Sequence, residues 1–146
     1  MSPWPAPILG LALALALVQA EAAARPAEPA AIVTTSSGLR FQVLEPGRGR
    51  RPGPRDTVQV RYEVRLADGR LVESTPRPET LPVTGMIAGF TEALQLMNQG
   101  GRYRFWVPPA LGYGAQGIPG TVPANAELVF TLTLDRIRRA PPRRLR

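Results

Sequence analysis

The ten residues from Thr57 to Leu66 alternate without a break. Val58, Val60, Tyr62, Val64 and Leu66 fall on one side, and Thr57, Gln59, Arg61, Glu63 and Arg65 on the other. Successive side chains of a strand point to opposite faces, so this period of two describes a strand with one dry and one wet face. A strand wetted on one side belongs in an antiparallel sheet. Asp68-Gly69 follows as a hairpin signal, and Leu71 to Ser74 supplies the returning strand.

The same period recurs elsewhere. Leu39 to Val43 alternates as an earlier strand, and a stiff turn region of Pro46, Gly47, Pro52, Gly53 and Pro54 follows it. Tyr103, Phe105 and Val107 mark a further strand, and Leu128, Phe130, Leu132 and Leu134 mark the last. One helix is predicted over Phe90 to Gln99, with Ala93, Leu94, Leu96 and Met97 as its apolar side and Gly100-Gly101 as its stop. A helix that short does not form alone in water, so packing against the sheet must hold it. The expected fold is α+β: a curved antiparallel sheet of about five strands around one short helix.

Composition removes many chemistries. The 146 residues suffice for one domain, and 44% hydrophobic with 20% charged residues is ordinary for a globular chain. There is no cysteine and no histidine, and all 18 basic residues are arginine. A disulfide framework, a thiolate nucleophile, a Ser-His-Asp triad, a His-ligated zinc, a Schiff-base lysine and a P-loop lysine therefore each lack a key residue. The carboxylates are scattered, with no cluster to hold a hard cation, so no metal or cofactor is expected.

The net charge of +7 gathers in the tail Arg136 to Arg146 and in Arg48, Arg50, Arg51 and Arg55. A solvated tail and loop explain both runs, and neither interleaves the aromatics that base stacking needs, so no nucleic acid is expected. Weak attraction to anionic lipid is the functional alternative. Ile8 to Val18 is an apolar run too short to span a bilayer, where about 20 residues are needed. Small residues follow, so residues 1–24 read as a secretory signal peptide cut after Ala20 or Ala24, which places the protein in the periplasm or outside the cell. An uncleaved hydrophobic anchor is the alternative. Residues 25–37, rich in Ala, Pro and Ser, read as a flexible linker; 38–138 form the domain and 139–146 a basic tail.

Pro108 to Phe130 sets Tyr113 among glycines, then a proline-stiffened loop, then an apolar strand. Gly112, Gly114 and Gly117 spell a dinucleotide fingerprint, but that motif needs a helix after it, and Pro119 and Pro123 forbid one. The glycines instead let the chain turn sharply and aim Tyr113 inward.

With Val60-Arg61-Tyr62, Asp68-Gly69 before Leu71 to Ser74, Gly85 to Leu94, Leu111 to Gly114 and Val122-Pro123 all in order, residues Gly38 to Arg138 resemble the FKBP family of peptidyl-prolyl cis/trans isomerases. The resemblance implies catalysis by Tyr113, Ile87, Phe90 and Glu73. Phe90 would floor a pocket beneath the proline ring. The Ile87 N–H and Tyr113 hydroxyl would donate to a substrate carbonyl, and Glu73 would be the acid at the rim. Tyr62, Val72, Leu81, Met86, Val122 and Phe130 would complete the wall. Tyr62 and Phe130 also fit plain core, whereas Tyr113 in its glycine-rich loop does not.

The chain departs from the family pattern. Val72 stands where an aromatic is expected, Glu73 where Asp is usual, Phe90 for Trp, Leu81 for an aromatic, Ile118 where His is frequent, and Val64 where Gly often follows the tyrosine. The resemblance implies proline-containing polypeptides as partners and macrolides as candidate ligands; a monomer is the default expectation, since nothing in the sequence points to oligomerisation. A catalytically weak binding module is the competing reading.

Overall fold

A computed structural model describes residues 30–144. Seven strands and one helix follow in the order β1 (Val33–Thr34), β2 (Arg40–Glu45), β3 (Thr57–Leu66), β4 (Leu71–Ser74), β5 (Glu79–Pro82), α1 (Ala88–Leu96), β6 (Arg102–Val107) and β7 (Leu128–Arg138). The sheet runs β1-β2-β6-β7-β3-β4, β5 pairs with β3 beyond that path, and every pairing is antiparallel. The α+β expectation therefore holds, with seven strands in place of about five. β1 lies inside residues 25–37, read as a flexible linker, and pairs Val33 with Phe41. Its two residues are too few to show a period. β5 ends in a proline and buries no side chain fully, so alternation did not reveal it.

β3 buries the five residues of its apolar side and leaves the other five at least partly exposed. The inner sides of β6 and β7 join it through Tyr103, Phe105, Val107, Leu128, Phe130, Leu132 and Leu134. α1 packs across this inner face with Phe90, Ala93 and Leu94 buried. Gly89 permits the approach, because a Cβ there would sit 2.5 Å from Val107 Cγ1.

The helix bounds differ from the expected Phe90 to Gln99. α1 begins at Ala88 behind Ile87, a residue with no capping side chain, so the start carries no sequence signal. It ends at Leu96 because Met97 turns extended (ψ 144°) to become fully buried, its N–H bonded to Leu94 O. Gly100 (φ +87°) then turns the chain into β6 rather than capping the helix.

Asp56 ties the proline-rich turn to the chain's end. Its carboxylate accepts from Gly53 N–H at 2.9 Å, Arg50 Nη1 at 2.8 Å and Ala140 N–H at 3.0 Å. The Gly53 N–H first, and then the Arg50 guanidinium, hold its pKa at about 2, below the ordinary 3.8. A lowered folded pKa stabilises the fold above the unfolded value, and that contribution disappears as pH falls from near 4 toward 2. Wild type should lose on the order of 2 kcal/mol over that window through this group. Chemical denaturation of Asp56→Asn against wild type at several pH values should show the difference between them shrinking across it.

Candidate functional site

A small enclosed hollow opens where α1, the β3–β4 hairpin and the loop after β6 meet. Tyr62, Val64, Val72, Glu73, Met86, Ile87, Phe90, Tyr113 and Phe130 line it, around a free volume of about 30 Å³. The floor is Phe90, 1% exposed. Tyr62 and Phe130 each approach its ring edge-on with centroids 5.8 Å away, at 74° and 60°. Such edge-to-face contacts suit the ring quadrupoles and lock the floor in place.

Each wall has a local cause. Tyr62 and Val64 are successive inward positions of β3, and Phe130 pairs with Val64 across to β7. On β4 a bulge falls beside Val64 and Arg65, leaving Val72 as the extra residue. Consecutive residues Val72 and Glu73 therefore both reach the hollow, which a regular strand forbids. Ile87 is the residue before α1, and its carbonyl accepts from Phe90 N–H at 3.0 Å and Thr91 N–H at 3.2 Å. Its own N–H has no protein acceptor among the described residues.

Tyr113 stands at the mouth, 39% exposed. The loop that carries it is held by backbone bonds from Gly114 N–H to Pro109 O, Gly117 N–H to Tyr113 O and Asn125 N–H to Gly114 O. Its far half is a tight hairpin in which Ile118 and Val122 exchange both backbone bonds at 2.8 Å. Gly117 (φ +59°) is obligatory, because a Cβ there would overlap the Val122 carbonyl oxygen. No helix follows these glycines, so the dinucleotide fingerprint is a chance match.

Electrostatically the hollow holds one short polar contact. The Tyr62 hydroxyl donates to Glu73 Oε1 at 3.1 Å. Burial, and then the Glu73 carboxylate beside it, push the Tyr62 phenol well above its ordinary range. Tyr62 thus stays a neutral donor at any working pH, with its proton committed to Glu73. The Tyr113 hydroxyl has no partner among the described residues and remains free.

Eight of the ten expected positions converge here. Leu81 and Val122 do not line the hollow. Leu81 sits half-buried on β5 opposite Val58, and Val122, paired with Ile118 in that tight hairpin, is buried in the core. Val64 was the position missed; its signal was its place two residues after Tyr62 on the same dry face. No group of three or more acidic side chains that could hold a metal occurs among the described residues.

The model of a family described as FKBP-type peptidyl-prolyl cis-trans isomerase matches residues 48–135. The chain belongs to that family. It is 38% identical over 112 residues to the Outer membrane protein MIP of Legionella longbeachae, covering 75% of this chain and 48% of that protein. It is also 38% identical to the FKBP-type peptidyl-prolyl cis-trans isomerase FkpA of Escherichia coli K12, covering 75% and 42%. The chain therefore spans about half the length of the curated relatives it matches. Among solved structures, a peptidyl-prolyl cis-trans isomerase of Pseudomonas syringae superposes with a TM-score of 0.72 at 28% identity, covering 94% of this chain and all of that one. FkpA of Escherichia coli gives 0.72 at 34% identity, covering 88% and 60%. This FKBP-type domain thus places its hollow on a sheet and helix arranged as in those isomerases.

Proposed function

We propose that the chain accelerates cis/trans exchange of X-Pro peptide bonds in proteins folding outside the cytoplasm. The observation that carries this is a buried aromatic floor, Phe90, in a hollow also lined by Ile87 and Tyr113, whose N–H and hydroxyl are uncommitted among the described residues. Rotation about a peptide bond costs about 18–20 kcal/mol because resonance is lost at the twisted geometry. The twisted amide is less polar than the planar one. A pocket with little water therefore penalises the planar state more, and differential binding of that kind speeds the step. The two donors hold the carbonyl beside the proline while the prolyl side turns. X-Pro bonds suit this treatment because their isomers lie within about 1 kcal/mol yet exchange slowly.

No proton moves in this scheme. The kcat/KM for a proline tetrapeptide should stay flat from about pH 6 to 9, since no step transfers a proton and the Tyr62 phenol, held well above its ordinary range by burial and then by Glu73, keeps its proton throughout. A bell-shaped profile with a limb near neutrality would contradict it.

A second reading, a binding module with little catalysis, draws on the aliphatic Val72 wall and on the Tyr62 proton already engaged by Glu73. Suppression of client aggregation without faster tetrapeptide exchange would favour it. Export rests on Ile8 to Val18 and the small residues after it, which lie outside the described residues. The boundaries 1–24, 25–37, 38–138 and 139–146, action as a monomer, macrolide capture by the same hollow and weak lipid contact by the tail are part of the proposal. Among the described residues no helix is long and apolar enough to cross a membrane.

A further inference from the structure

The outer face of the sheet carries a second, polar groove of about 290 Å³, lined by Arg61, Glu63, Arg102, Arg104, Thr131 and Thr133 on the strands and by Ser74, Thr75 and Pro76 at its edge. We propose that this groove binds a phosphate group, with Arg102 and Arg104 as its cationic arms and Thr131 and Thr133 as hydroxyl donors beneath.

Register builds the groove. Arg104 is the cross-strand neighbour of Thr131 and Arg102 that of Thr133, while Glu63 and Arg61 flank the same two threonines from β3. Paired residues on one face of an antiparallel sheet lie about 5 Å apart, and Arg102 and Arg104, two residues apart along β6, about 7 Å. Two flexible guanidiniums at that separation can close on one tetrahedral oxyanion from both sides. The wall opposite is fixed: Thr75 Oγ1 accepts the Tyr62 N–H at 3.0 Å, and Thr75 N–H donates to Tyr62 O at 2.9 Å.

Charge distinguishes this place from an ordinary solvated face. Three other outward arginines are already engaged: Arg61 with Asp135 at 2.8 Å, Arg65 with Glu63, and Arg40 with Glu127 at 3.1 Å while also lying over the Trp106 ring. The one carboxylate in the groove, Glu63, is thereby neutralised by Arg65. Arg102 and Arg104 form no ion pair among the described residues, although Glu45 stands opposite Arg102 in register. Guanidinium is the side chain best matched to phosphate, through two parallel N–H···O bonds, and unspent arginines beside free hydroxyls are what such a ligand needs. The groove lies on the sheet face away from the hollow floored by Phe90.

The phosphate can be free or carried on a lipid headgroup, and the test separates these sources. Inorganic phosphate is titrated into the full chain at low ionic strength with two-dimensional NMR as readout, alongside sedimentation with phosphatidylglycerol vesicles. Saturable millimolar binding of inorganic phosphate that shifts Arg104, Thr131 and Thr133 is expected. It should weaken at least about tenfold in the Arg102→Gln/Arg104→Gln variant, the loss of two charge-assisted bonds. Arg143→Gln/Arg144→Gln, which removes the same charge from the tail, should bind as wild type does, and tetrapeptide exchange should be unchanged in both variants. Vesicle binding that falls in parallel in the groove variant assigns the headgroup as source, and its absence assigns the free anion. No saturation by phosphate, or equal weakening in the tail and groove variants, overturns the proposal, as does vesicle binding without phosphate binding.

Discussion

Replacing Phe90 by alanine is expected to destabilise the domain by about 3–5 kcal/mol and to remove acceleration of prolyl exchange. The ring is 1% exposed, sits on α1, and meets Tyr62 and Phe130 edge-on. Truncation opens a cavity at the junction of helix and sheet, where the surrounding strands are hydrogen-bonded on both sides and cannot collapse to fill it. The thermal midpoint should fall by roughly 10–30 °C, measured by circular dichroism. Activity should be lost even at temperatures where the variant remains folded, because water entering the widened hollow removes the preference for a less polar, twisted amide. Phe90→Leu separates the two effects. It keeps an apolar floor, and should retain more of both stability and rate than the alanine variant. Full activity in a folded Phe90→Ala protein would show that the floor is only structural.

The second large effect is expected at Ile87. Its φ of −57° already matches proline, and its N–H serves nothing in the fold. Ile87→Pro therefore deletes the candidate donor while leaving the backbone path and the first turn of α1 intact, since proline is well tolerated at the entrance to a helix. Loss of one preorganised donor should lower kcat/KM about 10- to 100-fold. The stability should change little, apart from the lost branched side chain, which is half-buried. Ile87→Val keeps the N–H and trims one methylene, so it should stay within about twofold of wild type in rate. A Pro variant as active as the Val variant would remove this donor from the mechanism.

Alternation made most of the sheet legible. β3, β6 and β7 each bury every second residue, and a strand dry on one face cannot hide that period. What escaped was structure with no room for a pattern. β1 is two residues long, and β5 has no buried side chain. The end of α1 was misplaced because Met97 is apolar whether it continues the helix or turns extended into the core; tertiary burial decided it, and the glycines beyond were needed for the next turn.

The site was legible through resemblance more than through chemistry, because it holds no histidine, cysteine or lysine. Tyr62, Phe90 and Phe130 would have been read as ordinary core from pattern alone. Their edge-to-face geometry beneath an opening is visible only when three elements distant in sequence meet. Leu81 and Val122 were assigned to the wall by resemblance, but pairing of β5 with β3 and the hairpin that joins Ile118 to Val122 draw them elsewhere. The pairing of Val72 with Glu73 on one side needed the bulge, which sequence does not announce. Likewise the arginine groove depends on the register among β3, β6 and β7, and no single segment carries it.

The central claim is that a hollow with little water, holding no acid–base catalyst, favours a rotated prolyl amide. It is tested most directly by protease-free magnetisation exchange on a proline tetrapeptide with the full chain. Exchange between the cis and trans signals should quicken in proportion to added protein, to the same extent at neutral and at mildly alkaline pH. Exchange no faster than in buffer, by a protein that is folded and binds the peptide, would contradict it.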